Sequence, residues 1–261
     1  MGFYFSPKVV TDGLILYLDA ANEKSITSSS TTWYDLKKFP SYDITFYNDT
    51  KYVDDNKGSI RFDGADDYAN RPYVTGDLYD INLTNQITID VWVKWDNILR
   101  ATDSVISFGR PFGNNTLGHY QWEFIKSNSV GGTQFRGIFA VSNTTQTYVF
   151  NQVTNDGFFT PNTPIENNRW YNFLYTYNFS TGSIIGYVNG EDAGGTVAGV
   201  NPLSLQIPAV AQRHLCIGGA TDVPGFNSML GNIGVIKIYN KVLTPEEVSQ
   251  NYNALKSRFN I

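Results

Sequence analysis

The sequence predicts an all-β protein, a two-sheet antiparallel jelly-roll sandwich with a short C-terminal helix. Three observations lead there. Aromatics make up 15% of the 261 residues and charged residues only 16%, a balance that suits pleated, half-buried surfaces. Apolar runs are short and are broken at close intervals by Gly, Asn, Asp, Ser and Thr, the residues that tight turns need. Helical spacing occurs convincingly only at the end of the chain, so no helices alternate with the strands as a parallel α/β sheet requires.

The elements follow in order. Residues 1–12 read as a lead-in, either an N-terminal docking arm or an added edge strand, whose apolar Phe3, Phe5, Val9 and Val10 need cover. Leu14 to Leu18 is continuously apolar, as in a strand covered on both faces. Ser59 to Phe62 stops at the turn pair Asp63-Gly64. From Ile87 to Trp95 the pattern alternates: Ile87, Ile89, Val91, Val93 and Trp95 share one face, and Thr88, Asp90, Trp92 and Lys94 the other. Shorter strands are predicted at Ser104–Phe108, Gln121–Lys126, Phe135–Val141 and Gln146–Phe150. Trp170 to Tyr177 and Ser183 to Asn189 flank a hairpin loop. Ile233 to Tyr239, apolar on both faces, predicts a central last strand.

Thr244-Pro245-Glu246-Glu247 then supplies a capping hydroxyl, a proline at the first helical position and a glutamate three residues after the cap. Val248, Tyr252, Leu255 and Phe259 recur at helical spacing, which predicts a helix over 245–259 docked on the sandwich by one apolar stripe. No repeat or linker divides residues 13–261, which read as a single domain.

Composition excludes several function classes. A net charge of −5 with scattered Lys and Arg gives no stripe for a nucleic-acid backbone. No apolar run reaches the length of a membrane span, and the first residues lack the basic start and apolar centre of a signal peptide. Cys216, alone and within an apolar stretch, reads as a small buried hydrophobe. His119 and His214 do not make a zinc spacing. Asp63, Asp66 and Asp67 are the densest acidic group and raise the question of calcium. A tight turn with solvated neighbouring acids is the preferred reading, so no cofactor is expected.

Several segments resemble one family. Gly13-Leu-Ile-Leu-Tyr-Leu-Asp-Ala20, Thr31-Thr-Trp-Tyr-Asp-Leu36 and Ser59-Ile-Arg-Phe-Asp-Gly-Ala-Asp-Asp-Tyr68 are similar to the opening of laminin G-like, concanavalin A-like jelly rolls found in bacteriophage virion proteins. Gln86 to Lys94, Arg169 to Asn172, Gly186 to Gly190 and Leu230 to Val248 follow in the family's order. One departure is Ile233-Gly234, where many members carry Ile-Asp. The resemblance implies a non-catalytic virion structural protein, in a capsid decoration, fibre or tail appendage, made in a bacterial host cytoplasm and contacting other virion proteins. It also leaves open a lectin-like adhesin for host surface glycans and, third, a glycanase. The family's retaining glucanases use a Glu-X-Asp-X-X-Glu strand, which this chain lacks, so no enzyme is expected.

Carbohydrate sites place an aromatic face under a sugar with amide or carboxylate groups gripping hydroxyls. Asp90, Trp92, Tyr120 and Trp122 are the candidates for such a site. The competing reading packs these tryptophans under a covering segment.

Overall fold

Side chains at alternate positions of a strand point to opposite faces, and this rule sorts the chain into two layers. In the computed structural model, which describes residues 7–38, 40–78, 81–110, 119–129, 132–143, 145–149, 158–159, 165–178, 180–181, 183–193, 214–219 and 227–261, both layers are antiparallel sheets. The eight-stranded sheet runs in space Glu191–Asp192, Ser183–Val188, Trp170–Asn178, Gln86–Trp95, Leu230–Tyr239, Ser59–Asp63, Lys51–Val53, with Leu14–Asp19 also pairing with Leu230–Tyr239. The nine-stranded sheet runs Thr145–Val149, Gly132–Asn143, His119–Ser129, Thr102–Arg110, His214–Ile217, Tyr68–Pro72, Ile44–Tyr47, Thr32–Trp33, with Phe158–Phe159 added to Gly132–Asn143.

The strand Gln86–Trp95 follows the predicted alternation. Ile87, Ile89, Val91, Val93 and Trp95 enter the core between the sheets, where Phe108, Trp122, Phe124, Leu215 and Ile217 meet them from the other layer. The opposite face is covered over most of its length, with Lys94 partly exposed near its end. Asp90 and Trp92 are both fully buried there, because the end of the chain folds back over this sheet.

That end is built as its sequence dictates. Thr244 Oγ1 accepts from the Glu247 N–H while the Glu247 carboxylate accepts from the Thr244 N–H, a closed capping box that starts the helix Pro245–Leu255. A 3-10 turn, Lys256–Phe259, completes the predicted span. Val248 packs with Val10, Leu14, Tyr239 and Leu243. Phe259 stacks on Trp92 at 4.2 Å between ring centroids. Gly234 explains the departure from the family's Ile-Asp pair: a side chain there would begin 2.8 Å from the Phe259 ring.

Of the lead-in, residues 1–6 lie outside the described residues. Val10 is buried, its N–H donating to Asn251 Oδ1 at 2.8 Å and its carbonyl accepting from the Tyr239 hydroxyl at 3.1 Å. Among the described residues no helix is long and apolar enough to cross a membrane.

Candidate functional site

The residues singled out from the sequence as a sugar site are not brought together at a surface. Trp92 stacks on Phe259, and the Tyr252 ring lies parallel to it at 5.8 Å between centroids. Asp90 forms a fully buried ion pair with Lys237 at 2.8 Å and accepts from Asn172 Nδ2 at 2.7 Å and Asn251 Nδ2 at 3.1 Å. Its carboxylate thus neutralises a cation carried by the neighbouring strand and ties the terminal helix to the sheet. Trp122 is buried on the opposite layer, tilted against Phe108. Tyr120 lies in the strand His119–Ser129, and its side chain falls outside the described residues. A fully buried indole offers no face to a ligand, so Asp90, Trp92 and Trp122 are structural, which corrects the sequence expectation.

The outer face of the nine-stranded sheet has a different character. Paired residues of antiparallel strands point the same way, so the pairings Thr45 to Asn70, Asn70 to Cys216, Cys216 to Ser107 and Ser107 to Glu123 place these five in one row across four neighbouring contacts. Ala69, Leu215, Phe108 and Trp122, one step along each strand, face the core instead. The row is polar yet largely covered: Asn70, Cys216, Ser107 and Glu123 are all buried. Glu123 Oε1 accepts from the Ser104 hydroxyl at 2.8 Å. The Asn70 side-chain oxygen is buried and, among the described residues, accepts no hydrogen bond, an arrangement that wastes an acceptor unless water or another donor reaches it.

Two residues along from Thr45 and Asn70, on the same face, Tyr47 pairs with Tyr68. Their rings stack at 4.7 Å and 7° between planes. Tyr47 stays 38% exposed, so the stack is open to solvent on its side. Burial pushes the Tyr68 hydroxyl up from its ordinary value, and the neighbouring Tyr47, Cys216 and Asp66 groups push the same way. An open aromatic stack beside the exposed Thr45 hydroxyl is suited to a polyhydroxylated ligand: the ring packs on C–H surface and the hydroxyl meets a ligand hydroxyl. Period-two reading of Ile44-Thr-Phe-Tyr47 and Tyr68-Ala-Asn-Arg71 would have turned both tyrosines outward, but neither short run was long enough to stand out as a strand.

A separate cleft of ≈ 320 Å³ lies between the 20–28 segment and the 52–57 turn, with Tyr52 in its wall and Glu23, Thr27, Ser28 and Lys57 around it. Gly58 makes room for that wall: at φ +132° a side-chain carbon on it would lie 2.1 Å from the Ala20 carbonyl oxygen and 2.9 Å from the Tyr52 ring.

The turn after Ser59–Asp63 carries the acidic group. Asp63 Oδ1 accepts from the Ala65 N–H at 2.7 Å across Gly64, which adopts φ +79°. Asp63 and Asp66 are exposed, but Asp67 is wholly buried, so the expected solvation of all three acids is corrected for this one. Burial holds the Asp67 carboxyl above the usual carboxylate range, with the Asp63 and Asp49 charges adding and the backbone N–H groups of the same two residues opposing.

A laminin G-like family model, described as the concanavalin A-like lectin/glucanases superfamily, matches residues 63–249. The chain belongs to this superfamily. No curated protein matches it in sequence. Among solved structures it is similar to a Trypanosoma rangeli sialidase in complex with sialic acid, at TM-score 0.63 and 16% identity over 99% of this chain and 37% of the sialidase. It is also similar to the same organism's sialidase with 2,3-difluorosialic acid, described as a covalent intermediate, at TM-score 0.63 and 16% identity over 97% of this chain and 35% of that one. The receptor-binding domain of a botulinum neurotoxin C/D mosaic serotype aligns at TM-score 0.60 and 15% identity, over 92% of this chain and 51% of the domain. This superfamily member therefore spans about a third of the sialidases and half of the toxin domain, and at these identities the likeness establishes the fold.

These neighbours overturn two expectations from the sequence. The reading as a non-catalytic virion structural protein gives way, because the solved relatives are sialidases and a receptor-binding domain. The expectation of no enzyme falls with it, since a sandwich of this shape occurs within sialidases; lacking one glucanase motif does not exclude catalysis on this fold.

Proposed function

We propose that the chain is a lectin-like carbohydrate-binding module that recognises surface glycans through the outer face of the nine-stranded sheet. The observation that carries this reading is the Tyr47–Tyr68 stack, open to solvent at Tyr47. Tyr47 supplies the platform, and Thr45, exposed two residues along the same strand face, supplies a hydroxyl beside it. Support from outside the chain comes from the superfamily and from neighbours whose own descriptions name sialic acid and receptor binding.

A glycan array probed with the purified protein tests the reading, paired with an assay of fluorogenic sialosides and neutral glycosides for hydrolysis. Saturable binding to a related set of glycans, lost when Tyr47 is replaced by alanine, is the expected outcome. No binding across the array at high protein concentration would overturn it. Turnover of a glycoside without retained binding would move the chain to the glycosidases.

A further inference from the structure

Among the described residues two lysines are fully buried, and they are held differently. Lys126 pairs with Asp103 at 2.8 Å and also donates to the Arg100 carbonyl at 2.9 Å and the Ile98 carbonyl at 3.4 Å, so its ammonium is spent in hydrogen bonds. Lys237 meets Asp90 Oδ2 at 2.8 Å, and beyond that contact its ammonium has no hydrogen-bond partner among the described residues. An ammonium carries three donors, and leaving donors dry in a closed interior is costly. The same Asp90 oxygen accepts from Asn251 Nδ2 at 3.1 Å. One carboxylate oxygen thus holds an amine and a primary amide side by side, with Asp90, Lys237 and Asn251 all wholly buried.

The Asn251 amide is held at both ends. Its Oδ1 accepts from the Val10 N–H at 2.8 Å, and its Nδ2 also donates to the Tyr239 hydroxyl at 2.9 Å. Asn172, the other amide on Asp90, is set apart. It uses the second carboxylate oxygen, and its own carbonyl oxygen is buried without a donor among the described residues. Attack on an amide carbonyl needs a donor that holds the developing oxyanion, which selects Asn251.

We infer that Lys237 and Asn251 become joined by an intramolecular isopeptide bond, with Asp90 as the proton carrier. The Asp90–Lys237 ion pair is the state before the reaction. One proton of the ammonium passes to the Asp90 carboxylate, and the freed lone pair attacks Asn251 Cγ. The carbonyl opens to an oxyanion on Oδ1, which the Val10 N–H stabilises. Asp90 then gives its proton to Nδ2 and takes the second proton from the attacking nitrogen. The Cγ–Nδ2 bond breaks as the carbonyl re-forms, so ammonia leaves and Asp90 ends as a neutral carboxylic acid. Burial keeps water from competing for the acyl carbon. The bond ties the strand Leu230–Tyr239 to the helix Pro245–Leu255 and so fastens the segment that covers Trp92. It is independent of the glycan reading, because these residues lie on the eight-stranded sheet and its covering helix.

Intact-mass spectrometry of the purified full chain under denaturing conditions tests this, followed by protease digestion and peptide mapping. The wild-type chain should be lighter than its sequence by the mass of one ammonia, and digestion should yield a branched peptide joining Lys237 to Asn251. Lys237→Met should show the full sequence mass, a readout that holds even if this variant folds poorly. A wild-type chain of full mass overturns the inference. So does ammonia loss that maps to another asparagine, such as Asn189 before Gly190, or that persists in Lys237→Met.

Discussion

Replacing Asp90 with asparagine separates a structural role from a ligand-binding one. Three donors converge on this carboxylate: Lys237 Nζ at 2.8 Å and Asn251 Nδ2 at 3.1 Å on one oxygen, and Asn172 Nδ2 at 2.7 Å on the other. Lys237 has no exposed side-chain surface. Asparagine retains a single acceptor oxygen and points an N–H₂ at one of these donors, leaving a buried ammonium without a counter-charge. Breaking a buried ion pair from one side costs about 3–5 kcal/mol. Against a total stability of about 5–15 kcal/mol this is a large share. At roughly 2–4 °C per kcal/mol for a chain of this size, the unfolding temperature should fall by roughly 6–20 °C. Urea unfolding followed by tryptophan fluorescence measures the loss, since Trp92 lies on the same covered face. Adding Lys237→Met to Asp90→Asn should recover part of the stability, because it removes the stranded charge. A loss below about 1 kcal/mol in the single variant would refute this account of Asp90.

Three further outcomes follow from the packing. Phe259→Ala should cost about 3–5 kcal/mol and shift tryptophan emission to the red by uncovering Trp92; unchanged emission would contradict the stack. Gly58→Ala forces a left-handed backbone and a clash with the Ala20 carbonyl, so a loss of at least about 2 kcal/mol in chemical denaturation is expected, and a neutral result would show the turn to be built differently. Burial pushes the Tyr177 hydroxyl up to about 12 from 10.0. The folded state therefore holds this proton where the unfolded state has released it, and the stability it contributes is fully present below pH 10 and lost as pH rises through 12. That amounts to roughly 2–3 kcal/mol, so Tyr177→Phe should flatten the stability profile over that window, and an identical slope in both proteins would contradict the burial.

The layers of the fold were legible because they are written locally. Alternation from Ile87 to Trp95 assigns each side chain to a face without knowledge of the rest of the chain, and the run Thr244 to Glu247 specifies its own helix start. Function was harder to read because it depends on what covers each face. Trp92 and Asp90 look like a lectin pair along their strand, yet Phe259, Tyr252 and Asn251, contributed by the distant C-terminal segment, bury them. Tyr47 and Tyr68 come from two short strands whose juxtaposition depends on sheet pairing, a non-local property. Asp67 shows the same limit: its neighbours in sequence suggest a solvated acid, and only the folded turn removes it from water.

Isothermal titration of an array-selected glycan into the wild-type protein and into Tyr47→Ala bears most directly on the central claim. Saturable heat in the wild type, with binding lost in a Tyr47→Ala protein that unfolds at nearly the same temperature, is the predicted result. Equal affinity in the two proteins would place recognition away from the tyrosine stack and contradict the account.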